Sequence, residues 1–414
     1  DITLFSPHEA PGLYDAFGTE NFDELYEKYE RATSIPKKKV NARELFTDLL
    51  KERAETGRIY IMNIDHSNTH SSFKDKVNMS NLCQEITLPT DPIQHIEGEG
   101  EIALCILSAI NVGIVKDEEL ESLCDLSVRG LEELIDFQEY PVNAAKVSTE
   151  SRRSLGIGYI GLAHYLAKNK VKYDDPKAWE LVHDLTERFQ YYLLCSSADI
   201  AEEKGACAYF DRTKYADGIL PIDTYKKEVD ELVKPIYNMP WEDLRKRIKE
   251  NGLRHSTLTA QMPSESSSVV SNATNGIEPP RDHLSVKKSK KGTLKQVVPQ
   301  YSILKNAYTI LWDMPDNTGY INIVAVMQKF FDQAISGNWS YNPENYTNGE
   351  VPVSVMAKDL LNTYKYGWKT SYYQNTMDGK VEDVITDPNS ASNEYIPPLI
   401  DSPNSEEDCD ACAI

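Results

Sequence analysis

Three residues of the segment Ser80-Asn81-Leu82-Cys83-Gln84-Glu85-Ile86 could do chemistry together. In an extended chain, positions i, i+2 and i+4 point to the same side, so Asn81, Cys83 and Glu85 would share one face. A thiol between an amide and a carboxylate gives a redox or nucleophilic atom flanked by a hydrogen-bond donor and a proton acceptor, a set suited to sugar-hydroxyl chemistry. Spacing alone leaves a solvated polar strand face equally open. Cys105, inside Ile102-Ala103-Leu104-Cys105-Ile106-Leu107, reads on residue type as a small core hydrophobe. Cys124, Cys195 and Cys207 read the same way and receive no chemistry.

At Met262-Pro263-Ser264-Glu265-Ser266-Ser267-Ser268, proline and hydroxyls could open a helix whose unbonded backbone N–H groups would face a phosphate. A serine-rich loop is the other reading. Asn275-Gly276-Ile277-Glu278-Pro279-Pro280-Arg281 is a turn that would bring the chain back to the same end of a sheet. Tyr372-Tyr373, in a chain of 24 tyrosines, means little as a bare doublet. Cys409 and Cys412 have the spacing of a dithiol exchange pair or half a zinc site. No second Cys/His pair lies close by, so exchange is favoured and no metal site is assigned. Gly156-Ile157-Gly158-Tyr159-Ile160-Gly161 matches the glycine pattern of dinucleotide-binding turns. It lacks the apolar strand that must precede such a turn, so it reads as a glycine-spaced strand in close contact with a neighbour.

The elements that must hold these residues alternate between strand and helix. Thr19 with Phe22, Leu25, Tyr26 and Tyr29 predicts a capped helix. Asn41 to Arg53, with Leu45, Leu49 and Leu50, predicts another closed by Gly57. Ile59 to Met62 and Ile102 to Leu107 read as short buried strands. The apolar positions of 117–137 and of Pro176 to Lys204 each recur on one helical face. Such alternation implies crossover connections and an α/β protein with a mainly parallel sheet. After about Asp378 the chain is an acidic tail with one lysine, Lys380, too polar to order itself.

The 414 residues carry 44 Lys plus Arg against 65 Asp plus Glu, a net charge of −21, which disfavours a duplex nucleic-acid groove. No apolar run approaches the ~18 residues of a membrane span. Seven cysteines without a leader-like opening point to a reducing cytoplasm. The opening Asp1-Ile2-Thr3-Leu4-Phe5-Ser6-Pro7 reads as the downstream part of something longer.

Together these segments resemble the catalytic large subunit of class I ribonucleoside-diphosphate reductases, of the bacterial and phage type. The resemblance runs through Asp1 to Pro7, Asp65-His66-Ser67-Asn68-Thr69-His70, Ser80 to Ile86 and Glu101 to Asn111. It continues through Trp241-Glu242-Asp243-Leu244, Gly252-Leu253-Arg254-His255-Ser256, Asn272 to Arg281, and Tyr372-Tyr373-Gln374-Asn375-Thr376 to the cysteines of the tail.

The resemblance implies a ten-stranded α/β barrel made of two five-stranded halves around a finger loop. Residues 1–78 would end the first half, 79–100 form the finger loop, 101–377 the second half and 378–414 a flexible redox tail. By the same resemblance Cys83 becomes a thiyl radical that removes the substrate's 3′-hydrogen, Glu85 takes the 3′-hydroxyl proton, and Asn81 orients the ribose hydroxyls. Cys105 becomes one member of the reducing dithiol, against the core reading above. Ser264, Glu265, Ser266 and Ser267 hold the diphosphate. Tyr372 and Tyr373 relay the radical, and Cys409 and Cys412 re-reduce the active-site disulfide.

Two departures from the family stand out. The tail spacing Cys-Asp-Ala-Cys is tighter than in enterobacterial relatives, which bears on the choice of reductant. No cysteine precedes Cys83, so the partner of Cys105 is expected outside this chain. The resemblance further implies no cofactor bound here and a metal-containing small subunit that supplies the radical. It places allosteric nucleotide sites in an N-terminal part. It makes thioredoxin or glutaredoxin a partner, a ribonucleoside diphosphate the substrate and a hetero-oligomer the assembly, with no nucleic acid and no membrane. An inactive assembly piece that binds the small subunit is the alternative.

Overall fold

The computed structural model describes residues 1–95, 98, 100–289 and 292–377. The tail thiols Cys409 and Cys412 lie outside the described residues.

The chain opens with strand β1 (Ile2–Phe5), helix α1 (Phe22–Arg31) and strand β2 (Lys37–Val40), with β1 and β2 antiparallel. Thr19 is not the cap expected for α1: its hydroxyl donates to the Ala16 carbonyl, and the helix begins after Asn21. Helix α2 (Ala42–Thr56) follows the sequence closely. The Asn41 side chain accepts from the first-turn amides, and Gly57, at φ +69°, ends the helix in the left-handed region that favours glycine.

Next come β3 (Ile61–Met62), α3 (Ile64–Thr69), β4 (Leu107–Asn111), α4 (Leu120–Phe137), β5 (Gly156–Ile160) and α5 (Pro176–Lys204). The expected strands at 59–62 and 102–107 are thus shorter or displaced: 101–106 is irregular, and β4 begins where that run was expected to end. Helix α5 has the predicted bounds, with Pro176 at its first position behind an Asp175 cap. It buries Val182, Leu185, Phe189, Leu193 and Ile200 in the main core. The remaining elements used below are α6 (Glu265–Val270), α7 (Thr318–Gln328), β8 (Trp339–Tyr341), α8 (Val353–Lys365), β9 (Thr370–Ser371) and β10 (Gln374–Thr376). A hairpin of β6 (Leu284–Ser289) and β7 (Gly292–Val297) precedes α7.

Backbone hydrogen bonds link five parallel segments in the order β4, β5, 257–261, 333–341 and 370–376. Strand β3 runs antiparallel along β9. Among the described residues this run does not close on itself. The glycines of β5 serve contact, as expected: a Cβ on Gly158 would lie 2.7 Å from the Ala260 carbonyl oxygen, so only glycine lets the adjacent segment approach. Helices α4, α5 and α7 contribute to the main core, in which Cys124 is buried. Cys207 is buried and Cys195 half-buried, all three matching the structural reading.

Candidate active site

The segment bearing Cys83 is a tight turn, not the extended strand expected. Asn81 closes it: its amide N–H donates to the Ile86 carbonyl (3.3 Å), and its side-chain oxygen accepts from the Ile86 amide (3.0 Å). Gln84 sits at φ +70° and donates from its side chain to Ser80 Oγ (2.8 Å) and the Asn81 carbonyl. Side-chain bonds of this kind compete with a strand ladder, and the left-handed Gln84 reverses the chain. Asn81, Cys83 and Glu85 are therefore gathered by a reversal rather than by alternation.

An ion network holds the base of this loop. The buried Arg152 guanidinium meets Asp75 (2.9 Å) and Glu101 (2.8 Å), while Arg212 meets Asp75 (2.7 Å) and Asp91 (3.3 Å). The Glu101 amide also donates to the Asp91 carbonyl, so both arms of 75–101 are tied together.

The parallel segment 333–341 supplies the floor. The Ala334 amide donates to the Glu85 carbonyl (3.0 Å), and Ser336 Oγ donates to Glu85 Oε2 (3.2 Å) and lies on the Cys83 carbonyl oxygen. Glu85 is 2 % exposed, and burial raises its carboxyl above the usual range against the opposing hydrogen bonds from Asn81 and Ser336. Asn81 Nδ2 points at Cys105 Sγ, 4.0 Å away. Cys105 has an exposed surface, not the core position its residue type suggests. Local desolvation, then the nearby Glu85 and Cys83, push its thiol up to about 11.

Tyr372, 3 % exposed, directs its hydroxyl to Cys83 Sγ at 3.6 Å. Tyr373 lies against it with ring centres 4.2 Å apart. Tyr60 completes a cluster, 4.7 Å from the Tyr372 ring and 5.2 Å from that of Tyr373, and burial followed by its bond to Tyr373 pushes its phenol up to about 12. Tyr60 and Ser336 were missed by sequence reasoning. The one hint for Tyr60 was an aromatic just after the helix-ending Gly57; nothing local marked Ser336.

The serine-rich run does open a helix. Helix α6 starts at Glu265 after Ser264, whose hydroxyl turns back to the Met262 carbonyl (3.1 Å). It begins a few residues beyond Gln261, whose carbonyl accepts the Ser336 amide (3.0 Å), so Ser264, Glu265, Ser266 and Ser267 follow the segment paired with 333–341, which in turn bonds Glu85. The 275–281 turn packs on α6, with the Gly276 amide donating to Ser268 Oγ (3.2 Å).

Among the described residues no group of three or more His, Cys, Asp or Glu side chains could hold a metal ion, and no helix is long and apolar enough to cross a membrane.

Residues 1–374 match a protein-family model described as the ribonucleotide reductase barrel domain. The chain is 58% identical over 394 residues to the ribonucleoside-diphosphate reductase subunit alpha of Haemophilus influenzae, covering 94% of this chain and 52% of that protein. It is 54% identical to the ribonucleoside-diphosphate reductase 1 subunit alpha of Escherichia coli K12 with the same coverage. Against subunit alpha of Enterobacteria phage T4 it is 41% identical over 100% of this chain and 54% of that protein. The chain spans about half the length of the curated relatives it matches. On the extent of that match, this mixed helix and strand chain belongs to the ribonucleotide reductase barrel-domain family.

Proposed function

We propose that this chain is the C-terminal part of a ribonucleoside-diphosphate reductase catalytic subunit and carries the radical reduction of ribonucleoside diphosphates to their deoxy forms. The observation that carries the reading is the convergence on one spot of a thiol, a raised carboxyl, an amide, a second thiol and a tyrosine hydroxyl, from segments up to 289 residues apart.

In this reading a hydrogen atom passes from Cys83 Sγ to an oxidised Tyr372, whose hydroxyl is already directed at that sulfur, with Tyr373 as the approach and Tyr60 walling the pair. The resulting thiyl takes the substrate's 3′-hydrogen. Glu85 takes the 3′-hydroxyl proton, a role suited to a carboxyl raised toward neutral pH. The 2′-hydroxyl leaves as water. Two electrons come from the thiols of Cys105 and a partner in the N-terminal part, which close to a disulfide, and Cys83 returns the 3′-hydrogen. Cys409 and Cys412 reduce that disulfide and are themselves reduced by thioredoxin or glutaredoxin. Asn81 orients the ribose hydroxyls, and Ser264 to Ser267 hold the diphosphate.

The barrel would have ten strands. The five parallel segments support a second half at 101–377, with 1–78 ending the first half, 79–100 as the finger loop and 378–414 as the redox tail. The N-terminal part would bring the rest of the barrel and the allosteric nucleotide sites. A metal-containing small subunit would supply the radical in a cytoplasmic hetero-oligomer.

The test is reduction of a ribonucleoside diphosphate by this chain with an N-terminal segment, radical subunit and dithiol. Activity that requires the segment and disappears with Cys83→Ser is expected. Binding of the radical subunit without activity in any mixture would leave the inactive assembly piece instead.

A further inference from the structure

Asn338 occupies the junction between the two parts of the site that the reaction must coordinate. Its side-chain oxygen accepts the Tyr373 backbone N–H at 3.0 Å, and its side-chain nitrogen donates to the Glu278 carboxyl. Both ends of the amide are thereby committed, so it cannot flip without breaking both contacts. Glu278 lies in the turn that folds back on α6: the Gly276 amide is bonded to Ser268 Oγ at 3.2 Å, and the Ile277 carbonyl accepts the Tyr173 hydroxyl at 2.8 Å. Charge connects the same parts. Burial raises the Glu278 carboxyl, the Asn338 bond and Arg281 oppose the rise, and Glu265 at the start of α6 adds to it.

Glu278 and Asn338 also line one small cavity of mixed character, with Asn317 and Ser340 on it beside Leu311 and Met314. Tyr320 is itself buried and sits near the Asn338 backbone. The link is thus a continuous set of contacts from α6 through Glu278 and Asn338 to the backbone of Tyr373, whose ring touches Tyr372 and Tyr60.

We infer that Glu278 and Asn338 are positioning residues that transmit occupancy of the α6 loop by a diphosphate to the tyrosine pair. The inference rests on the proposed function, because it takes α6 as the diphosphate site. A dianionic or trianionic group arriving near Glu265 and Arg281 changes the field on Glu278. Glu278 is bonded to the Asn338 side chain, and Asn338 holds the Tyr373 main chain. Substrate would then set the tyrosine geometry before the radical arrives.

The experiment uses the full chain carrying 3-fluorotyrosine at position 373, observed by fluorine NMR while ADP is added and its binding is followed by calorimetry. The parent shows a shifted Tyr373 resonance on saturation. Asn338→Ala and Glu278→Ala bind ADP but lose the shift, whereas Glu278→Gln, which keeps the acceptor oxygen, retains it. In the assembled reductase, Asn338→Ala lowers kcat about tenfold with KM nearly constant. An Asn338→Ala chain that binds ADP and shifts like the parent overturns the inference while leaving the proposed function intact. Failure of ADP to bind the parent chain, alone and in the assembled mixture, removes the diphosphate site and the inference with it.

Discussion

Glu85 and Glu132 are equally buried, at 2 % and 1 % exposed, and titrate in opposite directions. Glu132, on α4, is met by Arg153 (2.7 Å), Arg254 (2.8 Å) and His255 (3.0 Å). Burial alone would raise it, but these partners hold it far below the usual carboxylate range. Glu85 meets the neutral Asn81 and Ser336 and a backbone amide, and burial prevails. Burial alone therefore does not decide the charge of a carboxylate; the formal charge of its partners does. The body of the protein pairs its buried acid with cations, and the candidate site surrounds its own with neutral partners.

The largest effect should follow from removing that exchange. Glu85→Gln in the assembled reductase is expected to lower kcat about 10²- to 10⁴-fold, the usual worth of a general base. An activity within a factor of two of the parent would end the assignment of Glu85 as base.

Glu132→Gln should leave activity per folded molecule intact but destabilise the chain by about 3–5 kcal/mol, because Arg153 and Arg254 lose their buried counter-charge. Urea unfolding measures this. A loss below 1 kcal/mol would mean that water replaces the carboxylate and the contrast with Glu85 is weaker than the geometry implies.

The two glutamates also predict opposite pH dependences. Glu132, depressed when folded, contributes stability above its unfolded pKa near 4.5, and that contribution is lost as pH falls into the acid range. Glu85, raised when folded, favours the native state most below 4.5 and progressively less as pH rises through its folded value. Glu85→Gln should therefore be more stable than the parent at neutral pH, by about 1 kcal/mol, as expected where a site trades stability for function. Equal unfolding midpoints at pH 5 and pH 8 for parent and variant would contradict this.

The smallest effect is expected for Tyr60→Phe, which keeps the ring against Tyr372 and removes only the hydroxyl. A change in kcat of about two- to fivefold is expected, near the worth of one net hydrogen bond. Complete loss would make Tyr60 a member of the relay rather than its wall.

Much of the frame was readable from periodicity and capping. Pro176 to Lys204, Asn41 with Gly57, and the close-contact strand at Gly156 all carry strong local signals. Asn81, Glu85, Cys105 and Tyr372, brought together around Cys83, were named from the sequence, and the resemblance is the source of the roles proposed for them. The route by which they meet was not. The Cys83 turn depends on a left-handed Gln84, a residue with no turn propensity of its own, stabilised by side-chain bonds to Ser80 and Asn81. Ile59, β-branched at φ +61°, likewise shortens the expected strand just before Tyr60. Ser336 and Asn338 act through contacts with residues far away in the chain, which no local pattern records. Cys105 misled because a cysteine among apolar neighbours resembles a core residue whether or not it faces inward.

The span between Cys83 and Tyr372 also orders events during synthesis. The cysteine leaves the ribosome 289 residues before the tyrosine that faces its sulfur. At typical translation speeds of about 5–20 residues per second, that is roughly 15–60 s. Throughout that interval the nascent chain carries the Cys83 sulfur without the hydroxyl that faces it in the finished fold. Ser336, which holds the turn by its carbonyl, also arrives late. The proposed radical relay through Tyr372 would thus be assembled only after both the Cys83 turn and the Ser336 segment have been made.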